Sequence, residues 1–492
     1  MKFPTRAATL CAALFLFAGL GPAGETAVNP QIARIADGVS EDRIKAIIEK
    51  LVSFGTRNTM SDATDPAHGV GAARQWILDQ MKSYSPKLQV RFDRYRVKKQ
   101  GQRVFKDVDL YNVIAVLPGK TMPETQVWIT GHYDSLNLGA PRTPPASTET
   151  STAGSGPGAS DNPLSATQNM KPADFEKNAA LPAPGACDDG SGTAAVMELA
   201  RVMSQYEFDK TLVFVAFAGE EQGLIGSNLQ AAKAHKENVA IEAVLNNDII
   251  GTDTSGNGRF GNTSVSVYSD ETMDSPSQQL SRYAREIGER YIPSMKVTTI
   301  FMGDRLGRGG DHTPFQWEGY AAVRFSTPNE IYANQHHATD LLENMSVPYT
   351  AKVARVNGVV AASLALSPKP PVVMRIPPVP AWAAGAPESA APPRRPTPTI
   401  SRGKSGYDAL LQWKPAGAED GIKGYTVVIR PTTSPYWEQE IYVGKVTQYL
   451  MKDVSIDELK FGVKAIGVDG GESLVSAYVY PARVKTEIET IP

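Results

Sequence analysis

Carboxylates and histidines recur in this chain where apolar runs end. "GHYD" supplies His132 and Asp134, "GACDDGSG" supplies Asp188 and Asp189, "AGEEQG" supplies Glu220 and Glu221, and "NNDIIG" supplies Asp248. A late loop, "NQHHATD", adds His336, His337 and Asp340. The chain has 6 histidines, and three of them lie in the first and last of these motifs. Few lysines or arginines flank the set, and carboxylates that converge without cations repel one another and are costly to bury. Divalent metal resolves that conflict. Mixed histidine and carboxylate donors suit zinc, with cobalt or manganese as substitutes. Five donors with one bridging carboxylate serve two ions about 3.5–4 Å apart. His132 and Asp134 stand two apart on one strand and face the same way, so His132 can ligate while Asp134 holds its other ring nitrogen. Glu220 and Glu221 are neighbours and point differently. One can ligate while the other meets bound water as a general base.

Each motif alone has a plainer reading. A surface "EE" is a solvated pair, "DD" before a helix is an N-cap, and "HH" in a loop says nothing by itself. The combination at strand ends, in order, favours the metal centre. His235 in "AAKAHKEN" reads as solvated, and His312 in "GGDHTPF" lies in a separate loop.

The elements that must position these residues follow from hydrophobic spacing. Residues 42–54 and 69–81 have helical periodicity, through Ile44, Ile47, Ile48 and Leu51 and through Ala73, Trp76 and Ile77. Residues 110–117, 126–134, 211–221 and 242–250 read as strands. Most are apolar throughout up to a polar end, which indicates strands buried on both faces of an α/β sheet. Ligands in such sheets bind beyond the carboxyl ends of the strands. After Asp189, Val196, Leu199, Ala200 and Met203 give a helix with one apolar face.

With 492 residues, 41% apolar and 21% charged, the chain has material for a large core and two or three domains. A net charge of −2 without a Lys/Arg-rich patch argues against nucleic-acid binding. Residues 1–23 read as a signal peptide, with Lys2 and Arg6 before a short apolar run and cleavage expected after Ala23. No later stretch is long enough to span a membrane, so a secreted or periplasmic protein is expected. Cleavage also removes Cys11 and leaves Cys187 without an intrachain partner. Residues 24–367 are expected to form the α/β domain, with a low-complexity surface insertion over 138–184. A Pro/Ala-rich linker over 368–399 leads to short alternating strands over 400–492, a small β-sandwich. With Trp413 in an early strand and Tyr425 opening a later one, that region resembles a fibronectin type III domain.

Taken together, "GHYDS", "GACDDGSGTAAVMELAR", "FVAFAGEEQGLIGS", "NNDIIG" and "HHATDLLENM" resemble the co-catalytic di-zinc aminopeptidases, the secreted bacterial leucyl-type enzymes. The resemblance covers residues 40–367, including "SFGTRNT", "GAARQWILDQM" and "YNVIAVLPGK" near its start. It implies a mixed central β-sheet flanked by helices and hydrolysis of the N-terminal peptide bond by a water activated between two zinc ions. By that resemblance Asp188 bridges the ions and a cis peptide bond joins it to Asp189. His132 and Asp248 complete one ion, Glu221 and His336 the other, and Glu220 is the general base. The family spacing from ligand histidine to Asp selects His336 through Asp340, although Leu341 replaces the family threonine. Arg308, near "GRGGDHTPF", is a candidate substrate contact. Peptides are the expected partners, and oligomeric state cannot be read from the chain.

Three rivals remain. A carboxypeptidase on the same scaffold needs a basic cluster for a C-terminal carboxylate, for which Arg305, Arg308 and Arg324 are the candidates. A glutaminyl cyclase-like enzyme needs fewer ligands than are present. A binding protein with vestigial ligands fits poorly with an intact Glu220.

Overall fold

The structure is a computed structural model that describes residues 28–139, 170–377, 395–417 and 420–480. The expected signal peptide, residues 140–169 of the expected insertion and residues 378–394 of the expected linker lie outside the described residues.

Helices α1 (Pro30–Asp37), α2 (Glu41–Ser53) and α3 (Gly69–Tyr84) precede strands β1 (Gln89–Val97), β2 (Val108–Leu117) and β3 (Met122–His132). Then come α4 (Pro172–Asn178), α5 (Gly190–Met203), β4 (Lys210–Phe217), α6 (Ile225–Lys236) and β5 (Ala240–Asn247). The body closes with β6 (Ser264–Tyr268), α7 (Pro276–Tyr291), β7 (Lys296–Ile300), α8 (Thr313–Trp317), β8 (Ala322–Ser326) and α9 (Val347–Ala365). The eight strands form one mixed sheet in the order β1-β2-β4-β3-β5-β8-β6-β7. β4, β3, β5 and β8 run parallel at its centre, while β1, β2 and the β6/β8 pair supply antiparallel edges.

The all-apolar strands are explained by two covered faces. Leu212, Phe214 and Ala216 of β4 join the core under α1, α2, α3, α5 and α9. Val213, Val215 and Phe217 point the other way, to a second core with Ala231 and Ala234 of α6 and Phe315 of α8. Alternation along each strand feeds both cores, so no polar face is left to mark the period. α5 threads the larger core and is buried on nearly every side.

Two boundaries differ from expectation. The strands stop short of the expected ends, β3 at His132, β4 at Phe217 and β5 at Asn247, so Asp134, Glu220, Glu221 and Asp248 follow them. The end of the expected surface insertion also joins the body, for α4 lies there and Phe175, Ala179 and Ala183 are buried.

Beyond α9 the chain is largely antiparallel β. A short pair, β9 (Met374–Arg375) and β10 (Thr397–Pro398), precedes β11 (Ile400–Ser401), β12 (Ala409–Gln412), β13 (Ile422–Pro431), β14 (Gln439–Gly444), β15 (Gln448–Met451), β16 (Leu459–Gly467) and β17 (Ser476–Ala477). One sheet has the order β11-β12-β15 and the other β14-β13-β16-β17. Trp413, Tyr425, Val427, Phe461 and Val463 fill a separate core between them, with the Trp413 and Tyr425 ring centroids 5.5 Å apart. Among the described residues no helix is long and apolar enough to cross a membrane.

Candidate metal centre

The parallel strands end side by side, and their loops converge there. His132 closes β3, Glu220 and Glu221 follow β4, and Asp248 follows β5. Asp188 comes from the loop before α5 and His336 from the loop after β8. Two triads of potential donor atoms result: His132, Glu220 and Asp248, and Asp188, Glu221 and His336, each within 4.8 Å of one another. Asp188 stands between the triads. Its Oδ1 lies 3.4 Å from His132 Nε2 and its Oδ2 lies 3.2 Å from His336 Nε2. His336 Nε2 is also 3.2 Å from Glu221 Oε2, and His132 Nε2 is 3.8 Å from Asp248 Oδ1. His337 turns away, with Nδ1 2.9 Å from the Gly139 carbonyl oxygen.

The loop that presents Asp188 is held from three sides. Arg57, fully buried, donates to the carbonyl oxygens of Tyr133, Leu51, Pro184 and Gly185. Asp340 accepts from Cys187 N at 2.9 Å and Asp188 N at 3.0 Å. Asp189 caps α5 by accepting from Gly192 N at 2.8 Å, and its other oxygen accepts from His132 N at 3.1 Å. The Asp188–Asp189 peptide bond is cis. Gly185 has φ +51°, and a Cβ on Gly192 would stand 2.2 Å from the Asn247 carbonyl oxygen, so only glycine fits this close approach of helix to strand. His336 itself has φ 59°, uncommon for a non-glycine residue.

Asp134 acts differently from the simplest expectation. Its carbonyl oxygen, rather than its carboxylate, lies nearest His132 Nδ1, at 3.1 Å against 3.6 Å. A carbonyl can only accept, so Nδ1 carries a proton and Nε2 is the ring nitrogen turned to the cluster. The Asp134 carboxylate instead accepts from the backbone N–H groups of Glu220 and Glu221, each at 3.3 Å, and from Thr59 Oγ1 at 3.2 Å.

The donors fit a pair of divalent cations. His132 Nε2 and Glu221 Oε1 are buried without a hydrogen-bond partner. Burial would lower both imidazoles, yet Glu220 with Asp134, Asp188 and Asp248 raises His132 well above its ordinary value, and Glu221 with Asp188 raises His336 to about 10. A site that draws protons onto two buried imidazoles is short of positive charge. Burial, then Glu221, Asp248 and Asp311, raises Glu220 well above the carboxylate range.

One cavity, of about 270 Å³, opens on this cluster. Asp188, Glu220, Glu221, Asp248 and His336 line it together with Arg103, Arg305, Arg308 and Leu224. Arg324, a sequence candidate for binding a substrate carboxylate, is unavailable. It is fully buried, 3.0 Å from Asp248 Oδ1 and 2.6 Å from Asp304 Oδ2. His312 is buried and hydrogen-bonds the Gly303 carbonyl oxygen, outside both triads. His235 is exposed beside Glu318. Sequence reasoning missed Arg103, which sits in an ordinary polar stretch. It also missed Asp311, a fully buried carboxylate beside the cluster whose motif was visible only for its histidine.

Residues 112–361 match the profile described as Peptidase family M28. A "Probable zinc metalloprotease" of Pyricularia oryzae is 35% identical, over 88% of this chain and 82% of that protein. Another, of Leptosphaeria maculans, is 31% identical over 92% and 97% respectively. These relatives are fungal, whereas the sequence motifs resembled bacterial leucyl-type enzymes. The LapA aminopeptidase of Legionella pneumophila superimposes with a TM-score of 0.48 at 18% identity, over 68% of this chain and 74% of its own. With the profile spanning half of the chain and these relatives nearly all of it, the chain belongs to peptidase family M28.

Proposed function

We propose that the protein is a secreted or periplasmic two-zinc aminopeptidase, which hydrolyses the first bond of peptides with a free N-terminus. The observation that carries this reading is Asp188, set with one oxygen toward each histidine of the cluster. His132, Asp188 and Asp248 would hold one ion, and Asp188, Glu221 and His336 the other, with cobalt or manganese as substitutes. Bound there, the ions supply polarisation of the scissile carbonyl and a lowered pKa for water. Glu220 takes the proton of the attacking water on its carboxylate and delivers it to the leaving amine nitrogen. The Asp134 carboxylate fixes the Glu220–Glu221 backbone, so base and ligand keep their separation. The secretory reading of residues 1–23 supports the location. Two antiparallel sheets with Trp413 against Tyr425 support a fibronectin type III-like C-terminal region.

The test compares a free peptide with its N-acetylated twin. Cleavage of the free peptide alone, abolished in Glu220→Gln with zinc content unchanged, is the expected result. Cleavage of the blocked peptide alone would favour a carboxypeptidase. No cleavage of either would favour a binding protein.

A further inference from the structure

The charged side chains of this cavity set its chemistry. Among the described residues Leu224 is its single apolar side chain; Gly223, Gly307 and Gly309 contribute backbone, and Arg103, Arg305 and Arg308 contribute cations. The three arginines are not equivalent. Arg305 is engaged on both sides, 3.0 Å from Asp304 and 2.5 Å from Glu330. Arg308 reaches Glu330 only at 3.6 Å, and its hydrogen bond goes to the neutral Gln335 at 3.1 Å. Arg103 donates to the Glu221 carbonyl oxygen at 2.5 Å, lies over the Phe175 ring, and has no carboxylate within 4.0 Å among the described residues. A guanidinium has five N–H donors in a fixed fork. Arg103 and Arg308 therefore carry donors beyond those that the protein satisfies. The Arg308 side chain is only 14% exposed, and its carboxylate neighbour Glu330 is held more closely by Arg305.

Neutralising the acidic cluster does not account for these two cations. Asp248 already has Arg324 at 3.0 Å, and among the described residues neither Arg103 nor Arg308 lies within 4.0 Å of a cluster carboxylate. Outside the cluster, Asp304 and Glu330 are shared among Arg305, Arg308 and Arg324. Arg103 and Arg308 line the cavity with N–H donors that no carboxylate of the described residues accepts, and a guanidinium fork suits a carboxylate.

We propose that this cavity binds a carboxylate of the substrate, held by the guanidinium groups of Arg103 and Arg308 in the same cavity as the candidate metal ligands. The proposal rests on the peptidase reading above. It names peptides that bring a carboxylate close to the scissile bond as the preferred substrates. The carboxylate comes either from an Asp or Glu side chain next to the scissile bond or from the C-terminus of a very short peptide.

The test uses the full zinc-loaded chain and peptides with a free N-terminus. Peptides with Glu, Gln or Leu in the first or second position are compared, each as C-terminal acid and amide. Preference for Glu over Gln by at least about tenfold in kcat/KM, in the amides as well, identifies a side-chain carboxylate. Preference for acid over amide, confined to dipeptides and tripeptides, identifies the C-terminal carboxylate. Either preference should shrink about tenfold in Arg308→Gln or Arg103→Gln. Calorimetric binding of the same peptides to Glu220→Gln reads the carboxylate independently of turnover. Equal or better hydrolysis of Gln and Leu peptides, with no acid preference, overturns the proposal and leaves the peptidase reading standing. Absence of all hydrolysis overturns the peptidase reading, and the calorimetric comparison then decides the carboxylate site alone.

Discussion

Two buried charge clusters in this molecule look alike in composition and differ in balance. At the strand ends, four carboxylates and two histidines meet, and among the described residues only Asp248 of the four has a lysine or arginine in ion-pair range, Arg324 at 3.0 Å. At the other cluster, α7 meets the C-terminal β region. Arg430 Nη2 lies 2.7 Å from both oxygens of Asp274, and Arg282 lies 3.1 Å from one of them. Nearby, Glu472 is 2.5 Å from Lys464 and 3.0 Å from Arg290. Trp437 donates to Gln279 at 3.0 Å, and the Arg285 guanidinium stacks 3.8 Å from the Tyr436 ring centroid. Here each anion has its cation inside the protein. The difference teaches how to sort buried charge. A balanced cluster fastens one part of the chain to another, and an unbalanced one waits for charge from outside.

The contrast can be broken most sharply at Glu220. Glu220→Gln should lower kcat by about 10²–10⁴-fold while zinc, measured by atomic emission, stays bound. Loss of zinc in that variant would make Glu220 a ligand rather than the base.

Chelation should come next. Removing metal held at a thousand times its dissociation constant costs about 4 kcal/mol. Calorimetry should show the α/β melting transition falling. An unmoved transition would mean that the acidic cluster balances itself.

At the interface, Asp274→Asn keeps a residue type that tolerates its φ of 58°. It leaves Arg430 and Arg282 buried without their anion, at a cost of about 3 kcal/mol. Limited proteolysis should then release the C-terminal region, and an unchanged digestion pattern would refute the fastening role.

The smallest effect is acidic. Burial opposes ionisation of Glu472, but Lys464 and Arg290 hold its carboxyl below the ordinary range. A lowered folded pKa gives stability that is complete above the unfolded value, about 4.3, and is lost as pH falls through the folded value. Glu286, raised chiefly by burial, acts above that window and in the opposite sense. The interface should therefore hold at neutral pH and loosen only below about pH 4, as tryptophan fluorescence near Trp437 would report.

Much of the site was legible in the sequence because chemistry sat at the ends of apolar runs. The runs around β2, β3, β4 and β5 located the strands, and "GHYD", "CDD", "GEE" and "NND" located the donors. Strand ends were misjudged by two to four residues, since nothing in an apolar run marks where pairing stops. α4 was hidden in a Gly/Ser/Pro-rich stretch because one buried phenylalanine, Phe175, does not make a periodicity. Arg57, Arg103 and Asp311 were invisible as functional residues, for their meaning comes from distant loops meeting. The interface on α7 was equally hidden. Nothing in the spacing of its arginines and glutamates shows that the β region lies against them.

The most direct measurement is zinc per chain in the purified protein, with Asp188→Ala alongside. Two zinc ions in the wild-type chain, reduced by the substitution, are the predicted result. One ion or none, or a content that Asp188→Ala leaves unchanged, would contradict the two-metal account.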